Sequence, residues 1–477
     1  METSARHRVL LSLVVAATVA GCTLGPDYRR PAVPVPTDWR DRGEDGGSLA
    51  DLRWWELFRD PVLQELIGTA LDENKDLRLA VARVAEARGQ LGIARAAQFP
   101  QIDGGASYTN QRFSQNSFPF DAIGALPGQA LSPQTEFYRT GIDMNFELDL
   151  WGRLRRASEA AQADLFASEE NRRTVLTTLI GDVAQTYFSL VELDREADIA
   201  RRTLQSRRAS LDLVQRRLAA GLTSELDVER AEGEVAAAAA AVPDIERQIA
   251  QTENRLSILI GRNPQRIPRG AALNDQKLPP AVPAGLPSTL LERRPDIRQA
   301  EERLVAANAH IGQAKAAFFP QITLTGMFGL ESVSLSDLFK GPSRVWQVGP
   351  AMTVPIFYAG RLRGNLRVAE AREQQSLIQY QQTIQQAFRE VEDALVAHRA
   401  AGDVRVQRER QVATARRTLT LANLRYTNGL AGYLDVLDAQ RQLYAAEIDL
   451  AATTRDQLTA VVQVYKSLGG GWEPPRP

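Results

Sequence analysis

The chain is poor in the residues on which most enzymes rely. Among 477 residues there are one cysteine and three histidines, and His310 and His398, the two that follow the N-terminal segment, stand isolated on helical patterns. A lone cysteine forms no internal disulfide, and two scattered histidines form no metal-ligand cluster. Neither a phosphate-cradling glycine loop nor a nucleophile elbow is found. These absences point to a non-enzyme without a cofactor. Charge of one sign is lacking too: the formal net charge is -1, with no concentrated basic surface, which argues against nucleic acid as a partner. Hydrophobic residues make up 44%, enough for cores without making a helical membrane protein.

The apolar run from Val9 to Ala20 follows Arg6 and Arg8. It is too short to span a bilayer and reads as the core of a signal peptide over 1–21. It ends in Val19-Ala20-Gly21-Cys22, which resembles a bacterial lipobox although valine stands where leucine is usual. Cleavage there makes Cys22 the first residue and a carrier of several acyl chains, a firm anchor. The competing reading is an ordinary signal peptide with a chance cysteine. Thr23 follows, and by resemblance to bacterial lipoproteins the absence of aspartate at that place favours the outer membrane.

A phrase written twice organises the rest. Ala94-Arg95-Ala96-Ala97-Gln98-Phe99-Pro100-Gln101-Ile102 returns 220 residues later as Ala314-Lys315-Ala316-Ala317-Phe318-Phe319-Pro320-Gln321-Ile322. Each copy ends an Ala-rich helix at proline and enters an alternating run, so the chain reads as a tandem duplication. Before the first copy, residues 22–60 form a Pro- and Gly-rich tether, and Asp60-Pro61 starts a helix as cap and first residue. After it, Ile102 to Arg112 and Glu136 to Leu150 make a strand hairpin of 102–150 with a long loop from Phe113 to Pro133.

From Trp151-Gly152 onward a helical pattern continues for roughly 65 residues, about 100 Å of helix. A seven-residue seam holds at Val183, Leu190, Ala197, Leu204, Leu211 and Leu218, with Thr186 and Arg207 as exceptions at the companion positions. Gly221-Leu222-Thr223-Ser224 breaks it, and a second helix to Ile260 closes an antiparallel hairpin of 153–260. Pro243 is expected to kink that helix or change its packing. Residues 61–260 form repeat 1 and 261–288 a Pro-rich linker. Repeat 2 covers 289–468, with strands in 321–357, a helical hairpin in 360–468 and a tail of 469–477. Gly152-Arg153-Leu154-Arg155, Gly221-Leu222 and Leu226-Asp227-Val228 all recur 208 residues on. The strand hairpin of repeat 1 is therefore longer, and its extra length falls in a loop.

The fold is thus mainly α with a small β part: four strands and four long helical legs. Four amphipathic strands cannot sit in hydrocarbon with open edges, so several chains share one barrel, and a trimer supplies twelve strands and a lumen. Cys22 with Gly25-Pro26-Asp27-Tyr28, the Trp54-Trp55 to Pro61 segment, the doubled Phe-Pro-Gln-Ile phrase, the doubled Gly-Arg-Leu-Arg turn and Leu434 to Gln440 together resemble the outer membrane factors of tripartite efflux and secretion systems. This is the TolC-like family, here its lipoprotein branch. The resemblance implies a homotrimer with a twelve-stranded β-barrel in the outer membrane and a coiled-coil tunnel across the periplasm. Cargo passes without chemistry, delivered by an inner-membrane transporter of RND type and a periplasmic adaptor that docks on the hairpin tips around Gly221, Leu222, Gly429 and Leu430.

By the same resemblance Asp435 and Asp438 are the carboxylates of the periplasmic gate, and Tyr426 and Asp227 match a hydrogen bond that locks it. Ala431 stands where some relatives carry an arginine of that lock. Asp435 also reads as a solvated carboxylate at a helix start, as does Asp227, and Tyr426 as plain tip packing. The rival to a channel is a lipid-anchored periplasmic coiled-coil adaptor, which has no need of the strands. The anchor itself is testable: cells given radioactive palmitate should label the wild-type chain and not Cys22→Ser, and label that survives the substitution would rule the anchor out.

Overall fold

The computed structural model describes residues 23–40, 48–112, 114, 134–277 and 283–471. Cys22, the signal sequence, nearly all of the loop 113–133, five residues of the linker and the tail beyond 471 lie outside them. In chain order the helices are α1 (Trp54–Leu57), α2 (Pro61–Glu73), α3 (Lys75–Ala96), α4 (Arg153–Ala219), α5 (Glu225–Leu259), α6 (Leu290–Arg293), α7 (Pro295–Ala316), α8 (Arg361–Thr427) and α9 (Tyr433–Ser467). The strands are β1 (Gln101–Arg112), β2 (Gln134–Leu148), β3 (Gln321–Ser332) and β4 (Arg344–Thr353). The duplication governs these bounds: α4 and α8 have 67 residues each, α5 and α9 have 35 each, and α3 and α7 have 22 each. No described helix is long and apolar enough to cross a membrane.

The chain divides into two compact units. The first contains the sheet, 86–166 and 302–378. Its strands are antiparallel in the order β1-β2-β3-β4, so each half contributes a hairpin and β2 pairs with β3 between halves. The register aligns Ile102 with Met144, Ile142 with Phe328 and Phe328 with Trp346. One face therefore carries Tyr108, Ile142, Leu324, Phe328, Trp346 and Val348, and the other Asp103, Arg139, Asp143, Asn145, Thr325 and Gln347. The apolar face is bare: Phe328 is 63% and Trp346 73% exposed. Each such side chain leaves roughly 1.5–3 kcal/mol of burial unrealised in water. On the polar face Gly105, Gly141 and Gly329 lie side by side. A Cβ on Gly141 would stand 2.7 Å from the Phe328 carbonyl oxygen, so this row permits the close approach that a curved sheet needs.

β4 stops at Thr353 rather than running to Phe357, because Pro355 has no N–H to continue a ladder. At the foot of the sheet the two halves interlock. The Trp151 indole N–H donates to the Pro320 carbonyl at 2.8 Å, and its ring lies 4.9 Å from Phe319. Alanines 160 and 163 of α4 meet alanines 306 and 309 of α7. The start of the tether is pinned here and not loose: the Leu24 N–H donates to the Trp151 carbonyl, and buried Arg156 donates to the Leu24 carbonyl and to Asp27. Gly25 has φ of 103°, and a Cβ on it would stand 2.4 Å from Gly312 Cα, an approach only glycine permits.

The second unit holds 32–85, 167–301 and 379–477. Its buried hub is Asp60. That carboxylate accepts hydrogen bonds from Val62 and Leu63 N–H as the cap of α2, from Tyr187 Oη at 2.8 Å, from Ala271 N–H and from the Gln276 side chain. The bonds outweigh burial and hold its pKa below the ordinary value. The supposed tether is packed here as well, since Trp39 is buried beside Phe388 with its indole N–H on the Gly285 carbonyl. In the seam Val183, Leu190 and Ala197 are buried, as are both exceptions. Arg207 is accommodated there by reaching Glu234 on α5, 3.0 Å away. α5 runs through Pro243 without a break.

This packing is open to mutation at two points. Gly141→Val should push β2 from β3 and weaken the sheet, read as a lower Tm than that of the wild-type chain. Glu192 of α4 is buried 3.5 Å from Arg455, and burial pushes its pKa up to about 7. Between about 4.5 and 7 the folded chain keeps a proton that the unfolded chain releases, so this group makes stability fall as pH rises through that window. Glu192→Gln should flatten that loss, seen as a smaller Tm difference between about pH 5 and pH 8.

Candidate gate at the hairpin tips

Both helical hairpins turn through the same motif. In the first, Leu222 N–H bonds the Arg217 carbonyl and Gly221 N–H the Leu218 carbonyl; in the second, Leu430 bonds Arg425 and Gly429 bonds Tyr426. These are Schellman ends, and both glycines have φ of 71°. The motif throws the next residue outward: Leu222 is 65% and Leu430 70% exposed. Leu226 and Leu434, in the first turn of the returning helices, are exposed as well.

Beneath the turns the two tips share one core. Val214 of α4, Val228 and Ala231 of α5, Tyr426 of α8, and Tyr433, Val436 and Leu437 of α9 are buried together. The Tyr426 and Tyr433 rings lie 5.4 Å apart. Burial first, then the Tyr426 hydroxyl, pushes the Tyr433 pKa up to about 12. One layer deeper, Glu234 accepts from Arg441 Nε at 2.7 Å and pairs with Arg207, so a buried carboxylate lies between two guanidinium groups from other helices. Gln440 donates to Ser210 at 2.8 Å. These contacts tie α9 to the first hairpin.

The four expected gate residues are all at this end, and they behave differently. Asp435 and Asp438 are three residues apart on α9, on one helical face, and both are exposed. Asp438 accepts from Gln442 at 2.6 Å, whereas Asp435 has no side-chain hydrogen bond among the described residues. The repeat explains the difference from its counterpart, Asp227. Asp227 accepts from Thr223 Oγ1 at 2.7 Å and Ser224 Oγ at 3.3 Å and stands 3.6 Å from Arg230. The second repeat has Ala431 and Gly432 in place of those hydroxyls, which leaves Asp435 without such partners.

The expected Tyr426–Asp227 hydrogen bond is not made within the chain. Asp227 is occupied by its own turn, and Tyr426 is drawn into the apolar core, where its hydroxyl is buried without a partner. Arg217, Tyr433, Glu234 and Arg441 carry no mark in the sequence that singles them out. Arg207 was the available signal, since a charge at a seam position predicts a buried partner.

Comparison with known proteins agrees with this architecture. The family model for outer membrane efflux proteins matches residues 66–262 and 286–470. The toluene efflux pump outer membrane protein TtgF of Pseudomonas putida is 40% identical over 477 residues, covering 97% of each chain. The cation efflux system protein CusC of Escherichia coli is 37% identical, covering 97% of this chain and 99% of its own. The solved outer-membrane channel OprN superposes with a TM-score of 0.87 at 32% identity, covering 95% of this chain and all of its own. The adaptor reading is set aside: such a protein needs no amphipathic sheet, and these relatives are efflux channel components. The chain belongs to the outer membrane efflux protein family.

Proposed function

We propose that three copies of this chain close one twelve-stranded barrel and one helical duct, the passive exit of a tripartite efflux pump. The open sheet carries this reading. Its apolar face matches hydrocarbon, its polar face matches a lumen, and the outer edges of β1 and β4 need partners that one chain does not supply. Pairing β4 with β1 of the next copy removes every edge. Leu222, Leu226, Leu430 and Leu434 form an apolar crown at the tips that suits a periplasmic adaptor, which links the duct to an RND-type inner-membrane transporter. Cys22 adds an acyl anchor in the outer membrane.

Asp435 and Asp438 are proposed as the gate. Three copies gather six carboxylates round one entrance, a ring that draws cations and whose members repel one another. The duct itself is read as weakly selective. Relatives of similar identity, TtgF and CusC, are named for toluene and for cation efflux, so cargo choice is assigned to the transporter.

Single-channel recording tests the gate. In planar bilayers the wild-type channel should conduct cations and be blocked by millimolar trivalent ions from the tip side. Asp435→Ala combined with Asp438→Ala should abolish that block and change conductance; unaltered block and conductance would remove these residues from the gate.

A further inference from the structure

Arg217 lies in the last turn of α4, where a cation is favoured by the helix dipole, yet its side chain serves the other hairpin. Its guanidinium carbon stands 4.7 Å from the centre of the Tyr426 ring. Its Nη1 donates at 3.3 Å to the carbonyl of Thr427, the last residue of α8. That carbonyl is one of those that a helix end leaves without an intrahelical partner. Arg217 Nε is buried and makes no hydrogen bond, while the side chain as a whole is half-buried, so the inner edge of the guanidinium is shut off from water against the ring and its outer edge stays wet.

The duplication shows that this use is particular to one tip. The counterpart of Arg217 in the second repeat, Arg425, donates at 3.5 Å to the Leu430 carbonyl of its own turn. The counterpart of Tyr426 in the first repeat is Leu218, which is exposed. Only one arginine and one ring of these two pairs cross between hairpins.

We propose that Arg217 is the clasp of the tips: by covering Tyr426 and capping α8 it holds the hairpin that bears Asp435 and Asp438 against the first hairpin, and so keeps the entrance closed. This rests on the gate reading above. It also replaces a hydrogen-bonded lock by a stacked one, because the Tyr426 hydroxyl takes no part. Arg217 is a positioning residue that touches no cargo.

The distinction gives the test. Full-length channels are recorded in planar bilayers as wild type, Arg217→Ala, Arg217→Lys, Tyr426→Leu and Tyr426→Phe. Arg217→Ala and Tyr426→Leu should raise the open-to-closed ratio roughly tenfold, as expected for loss of a half-buried cation–π contact with its charge-assisted hydrogen bond. Lysine keeps a charge over the ring without the planar fork, so Arg217→Lys should fall between alanine and wild type. Tyr426→Phe keeps the ring and should behave as wild type. Wild-type gating in Arg217→Ala, or opening by Tyr426→Phe equal to that by Tyr426→Leu, overturns the clasp. Should Arg217→Ala not assemble, Arg217→Lys and the two Tyr426 variants decide by the same criteria. Trivalent block lost in the Asp435 and Asp438 double variant, with Arg217→Ala gating normally, defeats the clasp alone; block that persists in the double variant defeats the gate.

Discussion

Backbone polar groups must be satisfied wherever water is absent, and that requirement shapes the whole chain. A four-stranded sheet with an apolar face and two bare edges has no stable place alone, in water or in lipid. Its answer is repetition at two levels. Within the chain a duplicated hairpin widens the sheet from two strands to four, joined by β2 and β3. Between chains the same edges call for further copies. The Asp60 hub and the Trp151 interlock then serve one end: they keep the long helices in fixed relation to the elements nearest them.

Much of this was legible because duplication leaves its arithmetic in the sequence. The offset of 208 residues carries from the Gly-Arg-Leu-Arg turn to both Schellman turns, and the helix lengths of the two halves agree. Strict alternation in β2 identified the sheet, since a period of two belongs to a strand with unlike faces and not to a helix. The N-terminal segment is extended, as expected of a tether, and it is held along its path by contacts of its own. Proline and glycine do mark an extended path, but composition is silent on what that path touches; Arg156 reaching Leu24 and Trp39 reaching Gly285 are long-range contacts with no local signature.

The candidate site was legible by position and not by partner. Asp435 and Asp438 are visible as a pair three apart after a glycine turn. Their different surroundings depend on Ala431 and Gly432 standing where the first repeat has Thr223 and Ser224, a contrast that appears only when the halves are aligned. Tyr426 lies at the tip, and its expected bond to Asp227 is not made within the chain. An aromatic ring bordering an apolar core is drawn inward by burial, and its hydroxyl then has to do without a partner when no polar group accompanies it.

The length of α4 and α8 has a mechanical side. Within the second unit alone each is a lever of roughly 75 Å, so a tilt of about two degrees at one end displaces the other by roughly 2.5 Å, as much as separates a hydrogen-bonded pair from a broken one. Small rotations near the fulcrum are thus magnified at the tip, and a brake placed at the far end works with the greatest leverage. A single stacked arginine there can resist a torque that, nearer the pivot, only a whole packed interface could withstand.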